Sequence, residues 1–105
     1  MTDASNPAAA PFILRLYISA AAPRSSRAVV NTRLFCETYL AGRYELEILN
    51  IADNVHLAAQ DQIVAAPTLV KMAPTPIRRF IGDMSDVHTL LSDLGIEKPP
   101  AAPMA

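Results

Sequence analysis

Phe12-Ile-Leu-Arg-Leu-Tyr-Ile18, followed by Ser19-Ala-Ala-Ala-Pro-Arg-Ser-Ser26, decides the fold. The first stretch is apolar almost throughout. Such a run reads as a strand buried on both faces, which suits the centre of a sheet. The second is a loop of small residues around Pro23, in which Ser25 or Ser26 can cap a helix. From Arg27 to Ala41, the residues Ala28, Val29, Thr32, Phe35, Cys36, Tyr39 and Leu40 recur on one helical face, and Gly42 is placed to end the helix.

Outward from this unit, Tyr44-Glu-Leu-Glu-Ile48 alternates with period two and continues to Leu49 and Ile51, a second strand with Glu45 and Glu47 on its exposed side. Asp53 or Asn54 can cap a short helix over Val55–Val64, with Leu57, Ala58 and Ile63 or Val64 inward. Thr68–Met72 reads as a third strand and Ile77–Ile81 as a fourth. The turn Ala73-Pro-Thr-Pro76 between them fits no central strand. Ser85 can cap a last helix, Asp86–Leu94, that buries Val87, Leu90, Leu91 and Leu94 and stops at Gly95. Strands alternating with helices imply parallel pairs, and the short proline turn implies an antiparallel final pair. The order βαβαββα over a four-stranded mixed sheet is the thioredoxin-like α/β fold.

One domain fits 105 residues, and 51% hydrophobic content is enough for a modest core. Alanine and proline dominate both ends, so residues 1–11 and 96–105 read as flexible tails around a domain at 12–95. Nine basic against ten acidic residues give a net charge of −1, without the basic excess of a nucleic-acid binder. The N-terminus lacks the pattern of a secretory signal, and no apolar run approaches the roughly 20 residues that span a bilayer. A cytoplasmic protein without membrane contact is expected.

The chemistry of redox enzymes with this fold is missing from its usual place. There the reactive cysteines sit between the first strand and the first helix, whose N-terminus stabilises a thiolate. Ser19–Ser26 contains no cysteine. The single thiol, Cys36, falls on the apolar face of the helix, where burial leaves it inert. Ala66-Pro67-Thr68 marks Pro67 as a candidate cis proline at the edge of the third strand. His56 and His88 lack metal-ligand spacing, and His56 with Asp61 reads as a solvated helix face. No catalytic residue, metal or cofactor is expected. Arg78 and Arg79 are adjacent on a strand and point to opposite faces. They serve either to protect an edge strand or to anchor a partner.

Several stretches resemble the KaiB family of clock proteins: Leu16-Tyr-Ile-Ser19 with Pro23 and Ser26-Arg-Ala28, Gly42 with Tyr44-Glu-Leu, and Asp61-Gln-Ile-Val-Ala-Ala-Pro-Thr-Leu69. The most specific is Pro74-Thr-Pro-Ile-Arg-Arg-Phe-Ile-Gly-Asp-Met-Ser85, a proline turn, two arginines and Ile-Gly-Asp in that order. The resemblance implies a non-enzymatic module that docks on a KaiC-like ATPase ring, with KaiA or a SasA-like kinase in the same pathway. It also implies two folds of one chain, a thioredoxin-like binding state and a tetrameric alternative. The well-delimited last helix and the prolines after it favour the thioredoxin-like state, as a monomer. Arg27, Lys71, Arg78 and Arg79 match basic positions of the family and are the expected partner contacts. Glu47 stands where the family often has a base. The competing readings are a stress or signalling adaptor with a non-clock partner, and a divergent thiol oxidoreductase using Cys36.

Overall fold

The computed structural model describes residues 11–96. Its elements are β1 (Phe12–Ile18), α1 (Pro23–Tyr39), β2 (Tyr44–Asn50), a 3-10 turn (Ile51–Asp53), α2 (Val55–Gln60), β3 (Thr68–Ala73), β4 (Arg78–Ile81) and α3 (Val87–Leu94). The sheet order is β2-β1-β3-β4, with β1 central. β1 and β2 run parallel, Phe12 opposite Tyr44 and Ile18 opposite Asn50. β3 is antiparallel to both β1 and β4.

The direction of β3 corrects the expectation of a second parallel crossover. A 17-residue helix such as α1 spans about 26 Å, enough to return the chain along a strand of about 23 Å. The six residues of α2 span only about 9 Å. The chain therefore re-enters the sheet from the end where β2 left it, and β3 runs back.

The elements depart from the sequence pattern at their ends rather than at their centres. α1 starts at Pro23, and its N-cap is Ala22, with no side-chain cap. Proline at the first helical position removes one unpaired N–H, and the Ser25 N–H donates to the Ala22 carbonyl at 3.0 Å. Ser25 is instead buried, and its Oγ accepts from the Ser19 backbone N–H at 3.1 Å. α2 stops at Gln60; Gln62 turns the chain at φ 59°, Ile63 packs inward and Val64 is exposed. Asp86, rather than Ser85, caps α3 by accepting from the Thr89 N–H at 3.1 Å. At the other end Gly95 adopts a left-handed φ of 69°. Its N–H donates to Ser92, and the Ile96 N–H to Leu91. This closure seats an apolar residue just beyond the glycine. Ile96, placed in the tail from the sequence, is accordingly buried at 6% exposure, and the folded unit reaches it. The remaining tail residues, 1–10 and 97–105, lie outside the described residues.

Two cores flank the sheet. Leu14, Leu16 and Leu69 pack beneath α1 and α3, against Ala28, Phe35, Cys36, Leu40, Leu90, Leu91 and Leu94. Tyr17, Leu49 and Val70 face α2 through Ala58, Leu57 and Ile63. Among the described residues no helix is long and apolar enough to cross a membrane.

Candidate functional site

The loop from β1 into α1 is held by its own backbone: the Ala22 N–H donates to the Ser19 carbonyl at 2.9 Å, beside the Ser19–Ser25 bond. Tyr17 lies opposite Thr68, so the β1–β3 register sets Pro67 beside the end of β1. The Ala66–Pro67 peptide is cis, as are Ala73–Pro74 and Thr75–Pro76. The Pro67 carbonyl accepts from the Gly82 N–H at 3.0 Å. Next to Gly82, the Asp83 carboxylate lies 3.8 Å from Arg27, and its backbone carbonyl accepts from Asn31 Nδ2 at 2.8 Å. Hydrogen bonds from Ser85 hold the Asp83 carboxyl below its ordinary range, with Arg24 and Arg27 adding to the effect. This end of the sheet therefore offers backbone, a proline and an ion pair, with no thiol among the described residues. Cys36 is fully buried on α1, and burial pushes its thiol up to about 12, with the Glu37 charge as the lesser cause.

The four expected contact cations do not form one patch. Arg27 is exposed on α1, near the Thr68–Ile81 end of the β3–β4 ladder through Asp83 and Gly82. Lys71 and Arg78 face each other at the opposite end of that ladder. Arg78 is exposed, whereas Lys71 is only 3% exposed. Arg79 leaves the other face of the sheet; its Nε donates to the Asp61 carbonyl at 2.8 Å and its guanidinium reaches Gln62 Oε1 at 3.4 Å.

Asp61 is the residue that sequence reading missed. Expected on a solvated helix face with His56, it is buried at the end of α2 while His56 is exposed. The Tyr17 hydroxyl donates to Asp61 Oδ2 at 2.5 Å and Arg15 Nη1 donates to the same oxygen at 2.9 Å. Arg15 Nε also lies 3.5 Å from Glu47. Burial, then the bond to Asp61, raises Tyr17 to about 12. The signal for this network was Arg15, one cation in an apolar strand, because a half-buried guanidinium calls for a carboxylate.

The outer face of α1 carries exposed apolar side chains. Val30 and Leu34 are 64% and 65% exposed, one helical turn apart. Arg24, Arg27 and Arg33 are exposed on the same helix. Beside Leu34 a groove of about 260 Å³ is lined by Asn31, Phe35, Met84, Ser85 and Val87.

The KaiB domain family matches residues 15–96. The circadian clock oscillator protein KaiB of Parasynechococcus marenigrum is 41% identical over 85 residues, 81% of this chain and 82% of that protein. KaiB of Synechococcus elongatus is 39% identical over the same length, with 83% of it covered. Among solved structures, the N-terminal domain of Synechococcus elongatus SasA superposes with a TM-score of 0.67 at 21% identity, covering 89% of this chain and 90% of that one. Mitochondrial thioredoxin 3 of Saccharomyces cerevisiae gives 0.66 at 10% identity, covering 82% and 78%. These likenesses show the thioredoxin-like fold, and the family match together with the relatives' identity shows that the chain belongs to the KaiB family.

Proposed function

We propose that this chain is a non-enzymatic protein-binding module that docks on a KaiC-like ATPase ring and acts in circadian-type timing. The observation that carries the reading is the replaced catalytic loop: Ser19–Ser26 has no thiol, and the one cysteine is sealed beneath α1. The surface left available is α1 itself. It presents Val30 and Leu34 between arginines, a combination of apolar contact and arginine anchors that suits a protein interface. Arg27, Arg78 and Arg79 supply exposed charge, Arg79 while bonded to Asp61 and Gln62, and Lys71 acts from behind the surface. KaiA and a SasA-like kinase belong to the same expected pathway, in the cytoplasm.

The thioredoxin-like arrangement is the main form in this reading, as a monomer, with the tetrameric fold as a minor state. Solution NMR shifts that report a helix over Val87–Leu94 support it, and a strand there overturns it.

Mixing the chain with a KaiC-like ATPase at micromolar concentration is expected to give a complex on size-exclusion chromatography. Leu34→Glu, and Arg78→Glu with Arg79→Glu, are expected to abolish that complex. No complex with the native chain overturns the reading. Glu47, engaged with Arg15 where the family often has a base, favours a second reading, a stress or signalling adaptor with a non-clock partner. Pull-down from the source cell separates the two.

A further inference from the structure

The sheet ends in two strands of opposite charge. β2 lies at one edge and β4 at the other, and among the described residues no strand continues the sheet beyond either. β2 exposes Glu45 and Glu47, whereas β4 exposes Arg78 and Arg79.

The register tells which backbone groups of β4 point outward. The Gly82 N–H donates to the Pro67 carbonyl at 3.0 Å. In an antiparallel ladder, hydrogen-bonded pairs recur at every second residue. Leu69 with Phe80 and Lys71 with Arg78 continue that series. Arg79 and Ile81 fall between, so their N–H and C=O groups face away from β3. Among the described residues, neither backbone bonds to a loop or helix.

The side chains along this edge are placed for contact as well as for solubility. Ile77 and Ile81 flank the arginines at 47% and 56% exposure. Arg79 is held in place, its Nε on the Asp61 carbonyl and its guanidinium at Gln62 Oε1. An arginine that only guards an edge gains nothing from being held, whereas a contact residue so fixed loses less entropy when a partner binds. Arg78 forms no ion pair among the described residues.

We infer that the edge of β4 accepts an extended acidic segment of a partner protein as a fifth strand. Backbone bonds to Arg79 and Ile81 supply the pairing, and charge selects this edge over β2. The alternation of faces sets the pattern the segment must carry. Antiparallel to β4, it sets one residue opposite Ile81, one opposite Phe80 and then two opposite Arg79 and Arg78. It therefore reads apolar, any residue, acidic, acidic. The two carboxylates leave on opposite faces, one toward each guanidinium, at a cross-strand Cβ spacing of about 5 Å. The inference rests on the reading of this chain as a protein-binding module and names the chemistry of one contact.

The probe is a synthetic peptide with the core Val-Thr-Glu-Glu, titrated into the full chain and followed by NMR. Saturable shifts and slower hydrogen exchange are expected at the Arg79 and Ile81 amides, with none along β2. A peptide with lysines in place of both glutamates is expected to give neither. Methylating the peptide nitrogen opposite Arg79 is expected to weaken binding at least about tenfold, through one lost backbone bond and its crowding. Methylation opposite Phe80, where the nitrogen points away from β4, is expected to leave binding unchanged. Arg78→Gln is expected to weaken binding about threefold, the scale of one exposed ion pair. No saturable shift up to about 5 mM peptide, the weak end of peptide affinities, overturns the inference even where the ATPase complex forms. Equal binding of the peptide methylated opposite Arg79 also overturns it, because attraction by charge alone needs no strand. Shifts at Arg79 and Ile81 that grow with protein concentration, without peptide, assign the edge to a second copy and overturn it as well. Peptide binding without an ATPase complex supports the inference and removes only the KaiC-like partner.

Discussion

The two faces of the sheet are held by different physics. Beneath α1 and α3 the contacts are aliphatic and aromatic, and the closure is by area removed from water. Beneath α2 the apolar contribution is thin, with Ala58 the only buried residue of that helix. There Asp61 does what area does elsewhere. Its carboxylate ties the end of α2 to β1 through Arg15 and Tyr17, and its carbonyl ties the same point to β4 through Arg79. A helix of six residues has too little face to hold itself by burial, so it is fixed by directional bonds instead.

Alkaline pH perturbs both faces at once and is expected to have the largest effect. Each face carries one buried acid whose ionisation the fold opposes; Lys71, pulled below the usual lysine range by burial, works in the opposite sense as pH rises. Cys36, on the helix side, rises from 9.0 to about 12 through burial, and Tyr17, on the network side, from 10.0 to about 12 through burial and its bond to Asp61. The unfolded chain releases these protons first, so the folded form loses ground as pH rises. Stability is whole below pH 9 and falls from there to pH 12, by on the order of 4 kcal/mol from the thiol and 3 kcal/mol from the phenol. Denaturant melts across pH 8–12 check this. Cys36→Ala is expected to delay the onset by removing the part that begins near pH 9. Tyr17→Phe removes the part that begins near pH 10. A flat profile in the native chain contradicts both assignments.

Truncation separates the faces at neutral pH. Leu16→Ala, in the centre of the apolar core, is expected to cost about 3–4 kcal/mol in global stability. Asp61→Ala leaves the Arg15 guanidinium and the Tyr17 hydroxyl without their acceptor. Because Arg15 keeps 24% side-chain exposure, water repairs part of the loss, and about 2–3 kcal/mol is expected. The distribution differs as well. Asp61→Ala is expected to accelerate amide exchange across α2 and the turn after it before the rest of the molecule, whereas Leu16→Ala lowers protection throughout. Equal acceleration everywhere in Asp61→Ala means that the network is part of one cooperative core.

The same contrast explains what the sequence made legible. The sequence pattern places β1 at its observed limits, because the run is uncharged at six of its seven positions and none of the seven is exposed. The inward face of α1 was read from spacing alone, since Ala28, Thr32, Phe35, Cys36 and Leu40 follow the helical period. Asp61 was not readable that way: its partners are 44 and 46 residues distant, and nothing in its own helix marks it. The direction of β3 depended on the length of α2, and α2 was read four residues too long because Ile63 and Val64 continue an apolar pattern past the turn at Gln62. Of the four expected contact cations, the sequence supplied identity and strand parity. Burial of Lys71 and the engagement of Arg79 with Asp61 follow from packing on α3 and α2, which parity does not contain.

The smallest expected effect tests whether α3 belongs energetically with the core it caps. Asp86 accepts from the Thr89 N–H at 3.1 Å and from the Thr89 hydroxyl at 2.8 Å, both exposed. These bonds hold its carboxyl below the ordinary range. Asp86→Ala is expected to cost about 1 kcal/mol, the usual value of an N-cap, as a small drop in denaturation midpoint with unchanged slope. Because Leu90, Leu91 and Leu94 anchor the helix in the main core, the loss is expected in the global transition. A loss that appears only as faster exchange at Val87–Leu90, with the midpoint unchanged, means that the first turn of α3 opens by itself. In that case the division runs through α3 rather than between the two faces of the sheet.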